Sequence, residues 1–380
     1  MKISVASTLL SLSVLAVAHP GQSKAEMKRE AAERNAYLSN HKRSLAHCAD
    51  QLKARGNDIA MQNRRRSLAE QAREKNLISA VKPYLQARDL DAVLATNHKS
   101  NLTCVTPNTD PSVLFSGNNS CILSPETTQG PYWVSGELIR QDMTDGEPGV
   151  PLTLDIQVID VNTCKPVPQV YLEAWHCNST GVYSGVVANG NGDSSDESNL
   201  NATFGRGINL SDDDGVVTFK TVFPGHYTGR ATHIHVLSHV SASLNDNNTL
   251  AGGNITHVGQ LFFDQDLISL VETQEPYASN TQELTTNADD NILAGEAADV
   301  DPFVEYVLLG DDVSDGIFGW IAFGMDTAAS YDVSPAVYYT SEGGVENEHS
   351  NIGGGGSPPD GTAPTGNPLT GPPQPSSTSA

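Results

Sequence analysis

The stretch from Phe223 to Val236 ends in an alternating pattern that carries a pair of histidines. Residues two apart on a strand point to the same face, so His233 and His235 share one face, opposite the apolar Ile234. Two imidazoles side by side on a rigid strand supply half of a metal site. Because the same pair also occurs on ordinary half-exposed strands, the residues around it decide between a metal site and a plain sheet surface.

Two tyrosines and an arginine accompany the pair. The pieces stand in the order Trp175-His176, Gly181-Val-Tyr183-Ser184, Pro224-Gly-His-Tyr227 and Arg230-Ala-Thr-His233-Ile-His235. This series resembles the core of the intradiol ring-cleavage dioxygenases. The resemblance spans about residues 121 to 340 and is closest to the secreted fungal members of that family.

The resemblance implies an enzyme that uses non-haem ferric iron and O₂. Such enzymes cleave catechol-type aromatic diols between the two hydroxyl-bearing carbons and release muconate-type diacids. The implied metal ligands are Tyr183, Tyr227, His233 and His235. Tyr227 would be the axial ligand that the catechol displaces, with His235 as its axial partner, so Tyr227 is also expected to take part in catalysis.

Further residues are assigned to the site by the same resemblance. Arg230 is expected to stabilise negative charge that develops on the substrate, and Gln260 to orient a substrate or peroxide oxygen. The segment 124–133 resembles one that borders the substrate pocket in the family, which makes Pro131 and Tyr132 expected pocket residues. Only five residues separate Tyr227 from His233, fewer than in the intracellular enzymes. This shorter loop predicts a more open site that accepts a broad range of catechols or larger plant phenolics.

The strand pattern predicts a mainly β chain with an antiparallel β-sandwich core. Residues 151–160 alternate cleanly, and residues 170–175 and 215–222 supply further strands separated by turn residues. Residues 185–214 are rich in Gly, Asn, Asp and Ser and are predicted to form an excursion between the strands. The acidic run at 211–215 lacks the spacing of a calcium loop and is predicted to be a hairpin turn.

Four regions are expected along the chain. Residues 1–18 resemble a secretory signal peptide, and residues 19–97 are expected to form a helical pro-region or arm. Residues 98–342 are expected to form the catalytic sandwich. Residues 343–380 are rich in Gly, Pro and Ser and are expected to be a disordered tail. The basic clusters Lys42-Arg43 and Arg64-Arg65-Arg66 fit either proteolytic processing or solvated helix charges, and a helical arm used in dimerisation is a third interpretation.

The composition of the chain limits the kinds of partner that the protein is expected to bind. A net charge of −23 disfavours nucleic acid and anionic membranes, which would repel this surface, and no later apolar run reaches spanning length. The expected partners are a small aromatic diol and O₂, in a monomer or homodimer. The signal peptide predicts secretion, and seven glycosylation triplets agree with it. They begin at Asn101, Asn118, Asn178, Asn201, Asn209, Asn247 and Asn254.

The five cysteines leave one unpaired in an oxidising compartment. Local pairing predicts Cys164 with Cys177 and Cys104 with Cys121, which leaves Cys48 as the odd one, although connectivity cannot be deduced from sequence. The remaining histidines have ordinary interpretations: His176 in packing or a hydrogen bond, His226 beside the ligands or exposed, and His239 and His257 on the surface.

Two other functions stay open at this stage. A secreted, non-enzymatic β-sandwich that binds wall carbohydrate would retain the motif as a relic. A copper oxygenase would use His19 as its new N-terminus after removal of the signal peptide, although a helical, dibasic region follows His19 rather than a strand.

Overall fold

The computed structural model describes residues 45–76, 120–121, 130–245, 249–297, 301–331 and 333–347. Its strands are β1 (Ser120–Cys121), β2 (Val134–Ser135), β3 (Pro151–Asp160), β4 (Tyr171–Trp175), β5 (Arg206–Leu210), β6 (Val216–Val222), β7 (His233–Val240), β8 (Ser243–Leu244), β9 (Leu250–Ala251), β10 (Asn254–Phe262), β11 (Glu305–Leu308), β12 (Ile317–Met325), β13 (Val337–Thr340) and β14 (Gly343–Glu346). Its α-helices are α1 (Ala49–Ala54), α2 (Asn57–Lys75), α3 (Gln265–Val271) and α4 (Asn291–Ala297). The prediction of a mainly β chain is confirmed.

Two large sheets form the sandwich. One has the order β1-β12-β3-β6 with β11 on β12, and the other has the order β10-β7-β4-β5. The second sheet is antiparallel throughout, as predicted. In the first sheet β12 lies antiparallel to β11 but parallel to both β1 and β3, so this sheet is mixed. Alternation of side chains fixes which face a strand buries, but it does not fix the direction of the strand.

The core lies between the two sheets. The alternating apolar residues Leu152, Leu154, Ile156 and Val158 of β3 are all buried there. From the opposite sheet, Ile234 and Val236 of β7 enter the same core. The histidines of β7 must therefore point to the outer face of the second sheet, as the sequence predicted.

The excursion predicted at residues 185–214 contains a strand. β5 pairs with β4 along its whole length and extends the second sheet by one strand. Its turn-rich surroundings conceal it because β5 has only five residues and starts with Arg206-Gly207. The acidic run that follows is the predicted hairpin turn, where Oδ1 of Asp212 accepts hydrogen bonds from the backbone N–H groups of Asp214 and Val216.

The N-terminal helices pack on the outer face of the first sheet. Gly56, in a left-handed conformation at φ 71°, separates α1 from α2. Arg64 and Arg65 of α2 both approach the buried carboxylate of Asp155, at 3.2 and 3.5 Å. The interpretation of the basic cluster as solvated charge is therefore wrong for these two residues, and removal of α2 would leave Asp155 unpaired.

A disulfide joins this helical segment to the sandwich. It links Cys48 to Cys164, which lies in the turn after β3. The predicted pair of Cys164 with Cys177 and the assignment of Cys48 as unpaired are both wrong. Cys177 is a buried free thiol that contacts the Gly225 carbonyl. Local spacing misleads here because the real partners lie 116 residues apart in sequence and meet only in the folded structure.

We expect Asp155→Asn to destabilise the protein by about 3–5 kcal/mol, because it leaves two guanidinium groups without their buried counter-charge. Chemical denaturation followed by tryptophan fluorescence measures the loss. Glu70→Gln is the matched control, since Glu70 pairs with Arg66 on the exposed face of the same helix and should change stability by less than about 1 kcal/mol. Equal effects of the two substitutions would contradict a structural role for Asp155.

Several predicted regions lie outside the described residues. They are the signal peptide at 1–18 with His19, Lys42-Arg43, Cys104 and residues 348–380. Gly343–Glu346, which the sequence analysis placed in the disordered tail, is β14 and pairs with β13. Within the described ranges, every helix is too short or too polar to span a bilayer.

Candidate active site

The centre of the site lies on one row of residues that are paired across the four strands of the second sheet. His235 on β7 lies directly opposite Trp175 on β4 and Gln260 on β10, and Trp175 in turn lies opposite Arg206 on β5. The Trp175 indole stacks on the His235 imidazole, with ring centroids 4.7 Å apart and planes within 3°. This stacking holds the imidazole in one orientation.

The four predicted metal ligands converge beside this row. The Nε2 atoms of His233 and His235 lie 3.0 Å apart, and the Tyr227 hydroxyl lies 3.4 Å from the His233 Nε2 atom. The Tyr183 ring centroid is 5.5 Å from that of Tyr227 and 6.1 Å from that of His235. All four side chains are buried. Two loop residues and two residues of β7 therefore form one cluster.

Both histidines are oriented by neighbouring groups. Nδ1 of His233 donates a hydrogen bond to the Ala231 carbonyl at 2.6 Å, which leaves the lone pair of Nε2 pointing into the cluster. Burial, and next the Arg230 charge, lower the His233 pKa to about 3, so this imidazole is neutral. Gly130 lies against the other ring, where a Cβ atom would come within 2.9 Å of His235 Cε1.

The two tyrosines lie in surroundings that oppose ionisation. Burial raises the pKa of Tyr183 well above its ordinary value, and the adjacent Tyr227 phenol raises it further. Burial also raises the Tyr227 pKa, against the opposing effect of Arg230. Among the described residues, the buried Tyr183 hydroxyl has no hydrogen-bond partner. A buried hydroxyl in this state is costly unless a ligand satisfies it.

Arg230 and Gln260 lie together beside the histidines. The Arg230 guanidinium donates to Oε1 of Gln260 at 2.5 Å, and the amide nitrogen of Gln260 lies 3.4 Å from His235 Nδ1. The guanidinium also pairs with the buried carboxylate of Asp290 at 2.9 Å. The structure therefore brings both predicted catalytic residues to the cluster, with a carboxylate partner for Arg230 that the sequence did not reveal.

The expected pocket residues lie over the tyrosines. The Tyr132 ring is buried with its centroid 5.0 Å from that of Tyr183, and Pro131 beside it is half-buried. Burial raises the Tyr132 pKa, and its hydroxyl has no hydrogen-bond partner within the described part of the chain. The segment 130–132 thus forms one wall of the cluster.

The other histidines are held by protein groups. His176 contacts the Cys177 carbonyl and the Thr221 hydroxyl, each at 2.7 Å, as predicted for a packing residue. His226 bonds to Glu272 at 2.8 Å. The surface prediction is wrong for His257, which is buried and stacks on Phe323, and His239 is half-buried against Glu173 at 2.7 Å. Both strands mix polar and apolar residues, so only the sheet packing shows the burial.

This donor set fits a metal ion of high charge. Two ligand atoms bound at right angles, each about 2.1 Å from a metal, lie roughly 3.0 Å apart, which is the separation of the two Nε2 atoms. A bound cation would also satisfy the Tyr183 hydroxyl by holding it as a phenolate. Phenolate oxygens suit a hard cation, whereas structural zinc more often takes cysteine, histidine or carboxylate.

Comparison with known proteins agrees with this arrangement. Residues 124–291 match the family model Dioxygenase_C, described as a dioxygenase. The structure is similar to an intradiol ring-cleavage dioxygenase from Tetranychus urticae, with 28% identity and a TM-score of 0.46 over 56% of this chain and 98% of that one. It is also similar to the dioxygenase domain of a dioxygenase carbohydrate-binding protein fusion from Streptomyces sp. SirexAA-E. The identity is 23% and the TM-score 0.32, over 53% of this chain and 96% of that one. No curated protein matches the sequence.

The β-sandwich, the site and the family match define a dioxygenase. More particularly, the match of residues 124–291 to a dioxygenase family model confirms the resemblance that the motif predicted. Sequence reasoning missed Asp290 and Arg206 as parts of the site. A signal for Arg206 was available, because an isolated arginine between glycines in an acidic chain is a candidate buried cation, but its cross-strand neighbours follow only from the register.

Proposed function

We propose that this protein is a secreted intradiol dioxygenase that binds ferric iron and cleaves catechol-type diols with O₂. The convergence of two tyrosines and two histidines on one buried point carries the proposal, with ligand atoms 3.0 and 3.4 Å apart. The products would be muconate-type diacids. Tyr183, Tyr227, His233 and His235 would hold the iron.

Ferric iron is the cation that best balances this set. Two phenolates and two neutral imidazoles would reduce the charge of a bound ferric ion from +3 to +1. The raised pKa of each tyrosine means that the protein without metal keeps these phenols protonated, so binding of iron must release their protons. When bound, iron supplies Lewis acidity and the capacity to draw electron density from the substrate ring.

The protein's own residues supply binding, charge and proton acceptance. The Tyr227 phenolate is the group that accepts a catechol proton, so no separate general base is needed. The Arg230 guanidinium lies within the cluster and stabilises negative charge on the reacting ring or the ring-opened product. Asp290 holds Arg230 in place, and Gln260, which bonds to Arg230, orients a substrate oxygen. Pro131 and Tyr132 form the wall over the two tyrosines, and this wall excludes water from that side of the cluster.

The short segment between Tyr227 and His233 supports a broad substrate range. Tyr227 and Arg230 face each other across a tight turn whose first residue, Thr228, is exposed. A longer loop at this point would add residues beside the site, so the short turn favours a more open site. Larger plant phenolics with a catechol ring are therefore within the proposed substrate class.

The visible absorption spectrum tests the proposal. Tyrosinate bound to ferric iron gives a charge-transfer band in the visible, so the purified protein should be wine-red and the band should shift when catechol is added without O₂. Admission of O₂ should then consume one O₂ per catechol and release a muconate. A protein that stays colourless and inactive after loading with ferric iron would move the function to a binding role, such as the wall-binding alternative. If the enzyme turned over only one small catechol, the proposed broad substrate range would be wrong, but the proposed reaction would stand.

Secretion is supported by the signal-like N-terminus and by the disulfide between Cys48 and Cys164, since such bonds persist in oxidising compartments. The glycosylation triplets offer a test of secretion, because the structure leaves some of their asparagine side chains exposed and holds others in hydrogen bonds. Asn254 is exposed at the start of β10. The side-chain amide of Asn178 donates to Glu147, and that of Asn209 donates to the Thr218 carbonyl.

We expect peptide mass spectrometry of the secreted protein to find glycan on Asn254 and none on Asn178 or Asn209. A glycan on either of the latter two residues would disturb the hydrogen bonds that fix its side chain. Asn254→Gln is the control and should remove the mass of one glycan without a change in activity. Recovery of Asn254 without glycan from the culture medium would contradict the prediction.

A further inference from the structure

Arg206 stands at the end of the row that carries His235. It is almost completely buried, and its guanidinium contacts two segments that are far apart in sequence. Its Nε atom donates to the Ser184 carbonyl at 2.9 Å and to the Ser184 hydroxyl at 3.0 Å, while a terminal nitrogen donates to the Tyr132 carbonyl at 2.7 Å. Ser184 directly follows Tyr183, so one side chain ties the loop of a metal-ligand candidate and the pocket wall to β5.

The charge balance around Arg206 holds it in this place. Its other terminal nitrogen pairs with the buried Glu137 carboxyl at 2.8 Å. Glu173 lies next to Glu137, accepts a hydrogen bond from the Trp133 indole at 2.6 Å and contacts His239 at 2.7 Å. Burial, and next the charge of Glu173, raise the pKa of Glu137 well above its ordinary range. Arg206 therefore supplies the positive charge that faces this buried acidic pair.

We propose that Arg206 is a positioning residue of the iron site, which fixes Tyr183 and Tyr132 relative to His235. The inference rests on the proposed function, because it assigns Arg206 to the same site. Arg206 contacts no reacting atom and acts through the backbone of the two tyrosine segments. The ring centroids of Tyr132 and Tyr183 lie 5.0 Å apart, so a shift of either segment changes the space in which a catechol would bind.

The geometry requires an arginine. A guanidinium is planar and presents its N–H groups in a rigid fork, so it reaches acceptors in three directions at once. A lysine in the same place keeps the positive charge but offers one compact donor group. It cannot hold Ser184, Tyr132 and Glu137 together, so the substitution separates the effect of position from the effect of charge.

The experiment compares iron-loaded Arg206→Lys with the wild-type protein. We expect the variant to fold, to show a displaced tyrosinate charge-transfer band before substrate is added, and to lose about 10- to 100-fold in kcat, as is typical when a group that orients metal ligands is lost. A purely structural role would lower the unfolding midpoint without moving the band. Iron content, the spectrum, kcat and KM are therefore measured on the same folded samples.

Arg140→Lys is the matched control. Arg140 also donates to backbone carbonyls beside β5, those of Thr203 and Arg206, but it does not contact either tyrosine segment. We expect its band and kcat to stay within about twofold of wild type. Equal effects of both substitutions, or a wild-type band and kcat in Arg206→Lys, would overturn the inference.

Two further results keep the test decisive. If Arg206→Lys does not fold, Ser184→Ala replaces it. This substitution removes the hydroxyl that accepts from Arg206 and donates to the Phe204 carbonyl, and it keeps the Ser184 carbonyl contact, so it is expected to shift the band by a smaller amount. An unshifted band with unchanged kcat in Ser184→Ala would then overturn the inference. A wild-type protein that binds no iron and turns over no catechol refutes the proposed function itself, whereas a red, active wild type with an unaltered variant refutes only the role of Arg206.

Discussion

Replacement of His233 by alanine is expected to abolish both iron retention and ring cleavage while the protein stays folded. His233 provides one of the two Nε2 atoms that lie 3.0 Å apart, and its Nε2 is also 3.4 Å from the Tyr227 hydroxyl. It is the side chain that connects the tyrosine ligands to the other histidine. We expect activity to fall by far more than the roughly 10- to 100-fold that follows loss of a group that only orients a metal ligand.

The substitution is compatible with folding because His233 is neutral and carries no buried charge. Its pKa of about 3 means that its removal leaves no counter-ion unpaired. The lost hydrogen bond to the Ala231 carbonyl and the small cavity account for a modest destabilisation of about 1–3 kcal/mol. Iron by elemental analysis, the visible band and kcat/KM measure the outcome.

His239→Gln is the control for this variant. His239 lies on the same strand, six residues further along, and contacts Glu173 rather than the cluster. It should keep bound iron and the charge-transfer band. If His233→Ala retained one iron per chain and the wild-type band, the proposed ligand set would be wrong, even if the family assignment stands.

Local patterns in the sequence predicted the parts of the fold and site that depend on local geometry. The alternation at the end of the 223–236 stretch placed His233 and His235 on one face, and the alternation of residues 151–160 placed four apolar side chains in the core. Both predictions rest on the twofold period of a strand, which does not depend on distant residues. Ligand identity came from a motif whose members lie within 53 residues, from Tyr183 to His235.

Features that depend on long-range pairing were not predictable in this way. The disulfide of Cys48 with Cys164, the parallel pairing of β12 with β3 and the place of Arg206 beside the site all join residues far apart in sequence. Composition concealed β5 because strand propensity is weak in a short segment with glycine near its start. Buried polar residues such as His257 are equally hidden, since a sequence shows polarity but not burial.

Replacement of Asp290 by asparagine is expected to damage stability and catalysis together. One carboxylate oxygen of Asp290 accepts from the Arg230 guanidinium at 2.9 Å and from the Ala231 N–H at 2.7 Å. The other accepts from the N–H groups of Ile292 and Leu293 at the start of α4. Asp290 therefore fixes both the charged group at the site and the backbone of Ala231, the residue whose carbonyl orients His233.

The expected loss of stability is about 3–5 kcal/mol, because Arg230 would stay buried without its counter-charge. Burial alone raises the Asp290 pKa, but Arg230 and the backbone donors outweigh it, so the pKa lies below its ordinary value of 3.8. The carboxylate thus contributes stability above pH 3.8, and this contribution is lost as the pH falls through the lowered pKa of the folded state. In Asp290→Asn, this acid-dependent part of the stability curve should disappear.

A double-mutant cycle with Arg230→Gln separates the two effects. The double variant should be more stable than the sum of the single losses predicts, because removal of both charges leaves neither one unpaired. Its activity should stay low, since the guanidinium that stabilises substrate charge is absent. In Asp290→Asn alone, kcat should fall by about 10²-fold through displacement of Arg230 by roughly 1 Å.

The neighbouring Asp289→Asn is the control, because Asp289 is exposed and contacts only Thr286 among its described side-chain partners. It should leave both stability and kcat within experimental error of wild type. Additive losses in the cycle would show that Asp290 acts as a helix cap alone, independently of Arg230. Recovery of stability in the double variant without recovery of kcat is the result that assigns Asp290 to both the fold and the site.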